Sequence, residues 1–410
     1  MILTKDKFSI ENIINYLIIL YAFLLPLHKG IVTIIGDILV VLFFFQPQIK
    51  IKLKFLLNDK FFQIFSALFL YGIFINFYSP NSIYGIKYIL KKTISYLPIF
   101  VIFLSIKKEF ITYSISAFLS GLFISEIISY GIYFDLWHTT YNSKYVGSYD
   151  PTPFMHHTLY SLYLSIGILI LFYSIIKNKF SKINLIYLFF FITMSINLFI
   201  TGGRGGQIAF FITIFILLFT EKNKKLLWFI FLPIIIFILA YNFSPLFHQR
   251  MLYAIHDVKQ VLIHLNFCGN WGQRAVAWLF AWDMLKNGYI FGIGFDTYIP
   301  YLKDFISNHQ NYRCALHHMS VHLHNQFLTM FIEGGVIYLG LFIYMLYYLI
   351  TLPIKDYFIN KIKYIYLIPF IFVSITAEPL FFQSWSMHLF TFFTGIILGM
   401  WRIENEKNFI

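Results

Sequence analysis

The sequence predicts an all-α polytopic membrane protein, and three observations carry that expectation. Hydrophobic residues fill 59% of the 410 positions and charged residues only 12%, too few charges to coat a soluble globule of this size. Apolar runs close to the ~20 residues that cross a hydrocarbon core recur about twelve times along the chain. Lysines, finally, collect after every second run, which gives the chain a consistent sidedness.

Taken in order, the expected spans are 12–27, 31–46, 61–78, 86–106, 110–134, 157–176, 183–200, 205–220, 226–244, 326–350, 363–378 and 385–401. Lys50, Lys52, Lys54 and Lys60 follow the second; Lys107 and Lys108 the fourth; Lys177, Lys179 and Lys182 the sixth. Lys222, Lys224 and Lys225 follow the eighth, and Lys355, Lys361 and Lys363 the tenth. Cytoplasmic loops retain lysine and arginine, so both termini are expected in the cytoplasm and the alternate loops outside. That orientation signal accounts for most of the +13 net charge, and nucleic acid is not expected as a partner. No small-residue cleavage site follows the first run, which reads as an uncleaved anchor. The chain then divides in three. Residues 1–241 hold spans one to nine with an outer loop at 135–153; residues 242–325 form a large outer loop with amphipathic helices; residues 326–410 hold spans ten to twelve and a short cytoplasmic tail.

Chemistry is expected on the outer face. All thirteen histidines, from His28 to His388, fall in outer loops or near outer helix ends on this topology. The two cysteines, Cys268 and Cys314, share the large loop; in an oxidising compartment they either pair or stand as two thiols. With no CxxC spacing, a redox motif or zinc ribbon is not expected.

Three constellations stand on that face. "TGGRGGQIAFF", Thr201 to Phe211, joins glycines that let the backbone approach a ligand to Arg204, whose planar fork matches a phosphate or diphosphate. The helix start there favours the same anion. A glycine hairpin with a snorkelling arginine is the plainer alternative, and without GK[ST] the stretch is no Walker loop. "NWGQRAVAWLFAWDMLKNGYIFGIGFDTY", Asn270 to Tyr298, sets Arg274, Trp278 and Trp282 at helical spacing on one face. It reads either as an amphipathic helix on the membrane surface or as a second phosphate ligand beside a bilayer-level platform. "CALHHMSVHLHN", Cys314 to Asn325, offers a histidine at a helix mouth as a general base. His318 and His322 have the spacing of a metal pair, but neither an HExxH motif nor an acidic residue before Glu333 accompanies them, so no metal is expected. Inside the spans, Lys91 and Lys92, with Lys87, lie where basic side chains meet an anionic lipid headgroup. Asp37, Glu126 and Glu378 read equally as snorkelling groups or intrahelical partners.

These residues resemble the bacterial O-antigen ligase and polymerase superfamily, the ligase branch in particular. The ligase signature is His, then Asn, Ser or Gln, nine residues, Gly, two residues, and Gly, Thr or Tyr; His324, Asn325, Gly335 and Tyr338 fill it here. The Arg204 turn is similar to the family's SRG turn, with Gly203 in the place of Ser. "RAVAW" followed by "GYIFGIGF" is similar to its R-x-x-x-W and G-x-G segment, and "DPTPFMHH" to its outer loop before span six. The resemblance implies a GT-C-like glycosyltransferase fold in the bacterial inner membrane, with the active site on the periplasmic face. It implies transfer of a glycan from undecaprenyl diphosphate to a sugar hydroxyl of lipid A-core in lipopolysaccharide biosynthesis, without nucleotide, metal or other cofactor. On that pattern His324 takes the acceptor's proton, Arg204 and Arg274 hold the donor diphosphate with Lys91 and Lys92, and His322, Asn325, Gly335 and Tyr338 support them. The same superfamily holds two alternatives, an O-antigen polymerase and an oligosaccharyltransferase acting on pilin-like proteins. A lipid or glycan transporter would show internal repeats and midplane charges on broken helices, and the sequence shows no convincing repeat.

Overall fold

The computed structural model describes residues 9–141, 144–177, 182–221, 224–315, 319 and 322–405. Lys179, Lys222, His317 and His318 lie outside the described residues. The first helices are α1 (Ile10–Leu24), α2 (Lys29–Phe43), the short α3 (Ile49–Asn58), α4 (Lys60–Asn76), α5 (Ser82–Tyr96), α6 (Pro98–Ser105) and α7 (Lys108–Tyr133). Side-chain caps start several of them: Ser9 accepts an amide at the head of α1, and Asp59 does so for α4. An antiparallel hairpin follows, β1 (Thr139–Tyr141) with β2 (Lys144–Val146), Thr139 facing Val146. Next come α8 (His157–Lys177), α9 (Lys182–Ile200), α10 (Arg204–Phe219) and, after a 3-10 stretch at Lys224–Ile230, α11 (Phe231–Phe243). A 97° bend at Ser244 leads into α12 (Pro245–His264), where Ser244 caps the new helix and Pro245 fills its first position. Then come α13 (Asn270–Lys286), α14 (Tyr298–Ser307), α15 (Gln326–Thr351), α16 (Tyr357–Thr376) and α17 (Ser384–Asn405).

Apart from the hairpin the described fold is helical, and the chain is a multi-pass membrane protein. Among the described residues, seven helices are long and apolar enough to cross a membrane, or eight if the bent pair at α11 and α12 counts as one span. The four other expected spans are helical but shorter: α1 and α2 have 15 residues each, α4 has 17 and α10 has 16. At the centre stand α8 and α17. Every side chain from Thr158 to Tyr173 and from Trp385 to Met400 is buried, as expected of helices apolar on all sides. By contrast, α9 turns Leu185, Phe189 and Ile192 outward, a face suited to lipid.

The described residues between 242 and 325 form a folded cap on one end of the bundle, called the loop end below. Phe267, Val276, Phe280, Met284, Leu302 and Phe305 build a separate small core there, and a disulfide joins Cys268 to Cys314. One strand-like stretch of the cap enters the bundle. Within α15, Gly335 has φ 75° and ψ −176°, which interrupts the helical hydrogen-bond ladder. The orphaned groups find partners in residues 290–294: Ile293 N donates to Ile332 O at 3.1 Å, Gly294 N to Glu333 O at 2.9 Å, and Val336 N to Ile290 O at 2.9 Å. Asp296 N adds a bond to the Glu333 carboxylate at 3.0 Å. Backbone breaks survive inside a bilayer only when they are re-paired in this way. Phe295, fully buried, then packs against Tyr338 with ring centroids 4.8 Å apart.

Two expectations change. The helix expected at 363–378 begins at Tyr357, so Lys361 and Lys363 belong to α16 and are buried rather than in a solvated loop. Partners make this tolerable: Lys361 meets Glu221 at 2.7 Å and Lys363 donates to the Leu352 carbonyl at 2.8 Å. In α13 the exposed stripe is Trp271, Trp278 and Trp282, whereas Arg274 turns away from it toward α16, because eight residues of helix drift about 80° around the axis.

Candidate active site

The site begins with how closely α8 and α10 approach. A β-carbon at Gly203 would lie 2.4 Å from the His157 carbonyl, and one at Gly206 would lie 2.3 Å from the backbone of Ser161. Only glycine allows that contact, so the turn "TGGRGG" brings two helix N-termini together, each with unpaired amides that favour an anion. Arg204 starts α10 at this junction. Asp150, from the loop before α8, clamps the turn: its Oδ1 accepts from Gly202 N at 2.8 Å and its Oδ2 meets His157 Nδ1 at 2.7 Å. Burial alone would raise the Asp150 carboxyl, but the His157 and Gly202 hydrogen bonds and the charge of Arg250 hold it below its ordinary value. His156 stacks on His157 at 3.8 Å; burial, then the neighbouring His157, push it down to about 4, so it is neutral near pH 7.

Arginines converge on the same place. Arg250, on α12, brings Nη2 within 3.0 Å of where a side chain at Gly202 would start, and Arg204 Nη1 reaches its carbonyl at 3.5 Å. Arg204 lies in electrostatic range of both Arg250 and Arg274. Arg274 is fixed by Nε to the Thr376 carbonyl at 2.6 Å and by Nη1 to the Asn270 carbonyl at 2.8 Å. Burial lowers its guanidinium from the usual range while Glu378 and Asp257 oppose the change, and it stays a cation.

The histidine segment closes the site. His322 Nε2 lies 3.2 Å from Glu378 Oε2, which also accepts from Gln383 Nε2 at 2.7 Å. His322 Nδ1 accepts from the backbone N of His324 at 3.3 Å. With Nδ1 accepting from His324 N, the Nε2 hydrogen of His322 faces the Glu378 carboxylate. His324 takes a left-handed conformation, φ 53°, and its ring meets that of His322 edge-on at 4.1 Å. Asn325 caps α15, accepting from Phe327 N at 2.9 Å and Leu328 N at 3.1 Å. The donor atoms of His322, His324 and Glu378 lie within 4.8 Å of one another, a set chemically able to hold a metal ion.

Of the residues singled out from the sequence, the fold brings together Arg204, Arg274, His322 and His324, with Asn325 as a helix cap. Gly335 and Tyr338 serve the break in α15 and its docked strand. Lys92 turns to the Phe382 carbonyl and lies over the Tyr88 ring at 5.2 Å, while Lys91 is exposed. Among the described residues neither lysine bonds a member of the arginine cluster. Sequence reasoning missed Arg250 altogether and left Glu378 as a span-end charge; the acid beside His322 is distant in sequence and comes from beyond α16.

A sequence profile described as O-antigen ligase matches residues 189–345, which run from α9 past the break in α15 and include Arg204, Arg250, Arg274, His322 and His324. No curated protein matches the chain. Through residues 189–345, the chain is similar to the O-antigen ligase family.

Proposed function

We propose that this protein transfers a glycan from undecaprenyl diphosphate to a sugar hydroxyl of lipid A-core, with the loop end in the periplasm and both termini in the cytoplasm of a Gram-negative inner membrane. The observation that carries this reading is the convergence of three guanidinium groups, Arg204, Arg250 and Arg274, with the His322–His324 segment at the mouth of α15. The acceptor hydroxyl attacks the anomeric carbon, His324 takes its proton, and the bond to the lipid diphosphate breaks. Charge grows on the leaving diphosphate, where fixed cations stabilise the transition state more than the ground state. Three arginines beside two helix N-termini supply that charge, so turnover is proposed to need no metal.

The test is transfer by purified protein supplied with undecaprenyl-diphosphate glycan and lipid A-core, in EDTA, alongside His324→Ala. Product from the wild type and a loss of roughly 10²–10⁴-fold in the mutant support the reading. Longer chains on undecaprenyl diphosphate, with none on lipid A-core, would reassign the acceptor to a second lipid-linked glycan. Activity restored only by a divalent ion would make His322, His324 and Glu378 a metal site and end the base assignment.

A further inference from the structure

Resting on that reading of the donor, we infer that His157, held by Asp150, is a hydrogen-bonding ligand of the lipid diphosphate alongside Arg204 and Arg250. The pair lies outside the residues that match the family profile and differs from the His322–Glu378 pair in what surrounds it. His157 opens α8 at the point where α8 and α10 touch, so its ring stands beside two helix N-termini and the Gly202 turn. Asp150 carboxylate oxygens lie 3.2 Å from the position a Gly202 side chain would occupy, with Arg250 Nη2 3.0 Å from it. The backbone of the Gly202 turn is therefore flanked by charged side chains.

Asp150 settles the chemistry of the ring. Its Oδ2 engages His157 Nδ1, so the proton there is shared with a carboxylate and the other nitrogen, Nε2, is left to bind a ligand. With the Asp150 carboxylate on one nitrogen and a diphosphate oxygen on the other, the ring of the bound state donates to both. The charged groups at the pair are Asp150 and Arg250 from α12, with His156, neutral near pH 7, against the His157 ring. The Arg250 charge is paired once a diphosphate is bound. Asp150 touches no donor atom in this scheme; it is a positioning residue that acts through His157.

A purely structural role would have the pair pin the outer loop to the Gly202 turn. Binding of undecaprenyl diphosphate without any glycan, measured on the full chain in lipid nanodiscs, separates the two roles without requiring turnover. His157→Gln is expected to weaken binding roughly tenfold, the worth of one charge-assisted hydrogen bond, and His157→Arg to restore it. Asp150→Asn is expected to weaken it as well. In transfer assays His157→Gln raises the donor KM with little change in kcat. Wild-type affinity in His157→Gln overturns the inference. So does equal weakness in His157→Gln and His157→Arg with a matching fall in melting temperature, which is the signature of the pin. Failure of the wild type to bind the diphosphate at all would instead remove the proposed donor.

Discussion

His324 carries a conformational cost as well as a chemical role. A left-handed backbone at a residue with a β-carbon costs ~1–2 kcal/mol, and here it is held by the bond to His322 Nδ1 on one side and the Asn325 cap on the other. The side chain is thereby aimed without depending on substrate. Arg274 has spent two of its donors on Thr376 and Asn270, so only the rest of its fork can face a ligand. Arg274→Lys cannot serve both duties, and kcat/KM is expected to fall about 10–100-fold; unchanged kinetics would leave Arg274 a packing role. His156 makes a different prediction. Its folded value of about 4 lies below the unfolded 6.5, so the unfolded chain binds the extra proton first, and stability is full above about pH 6.5 and lost as pH falls toward 4. His156→Asn should flatten the melting temperature across that window, and an unchanged slope would show that another group titrates there.

Helices were legible where the membrane itself supplies the ruler: each of the twelve apolar runs is helical, because a long run can satisfy its backbone only by coiling. Breaks were harder to read. The glycine pair at Gly334 and Gly335 is visible, yet the strand that makes its interruption stable comes from residues 290–296, and that pairing is tertiary. The same holds in the site. Arg204, Arg274 and His324 announce themselves in short motifs, whereas Arg250 sits in "LFHQRML" with no local pattern, and Glu378 becomes a partner of His322 only once α16 is packed. Lys361 and Lys363 misled for a related reason, since their carboxylate and carbonyl partners lie on other elements. The break in α15 can be tested directly. A β-carbon at Gly335 would sit 2.2 Å from the Phe291 backbone in addition to its strained φ, so Gly335→Ala should cost several kcal/mol. Hydrogen exchange should then speed at Ile293 and Gly294; protection equal to wild type would mean that the strand docks without the break.

At the scale of the molecule the two ends do different work. The end away from the loop is locked by polar ties: the buried pair Lys361 with Glu221, Arg402 with the Phe103 and Ile106 carbonyls, and Glu404 capping the amides of Lys355 and Asp356. The loop end is held by a covalent tie instead. Cys268 precedes the helix that carries Arg274, and Cys314 precedes the segment that carries His322 and His324, so one bond couples cation and base. Cys314→Ser should lower the stability of the cap by about 2–4 kcal/mol and reduce transfer, and alkylation of unreduced wild type should label neither thiol. Two labelled thiols would remove the tie.

The strand docked on α15 also orders events in time. While the chain is being inserted, the interrupted helix carries open carbonyls at Ile332 and Glu333 that no lipid can satisfy. Their partners lie upstream, in a segment that must first reach its own side of the bilayer and fold. The last fifth of the chain is therefore expected to mature only once the cap has folded, so that a chain whose cap misfolds would be left without a finished site.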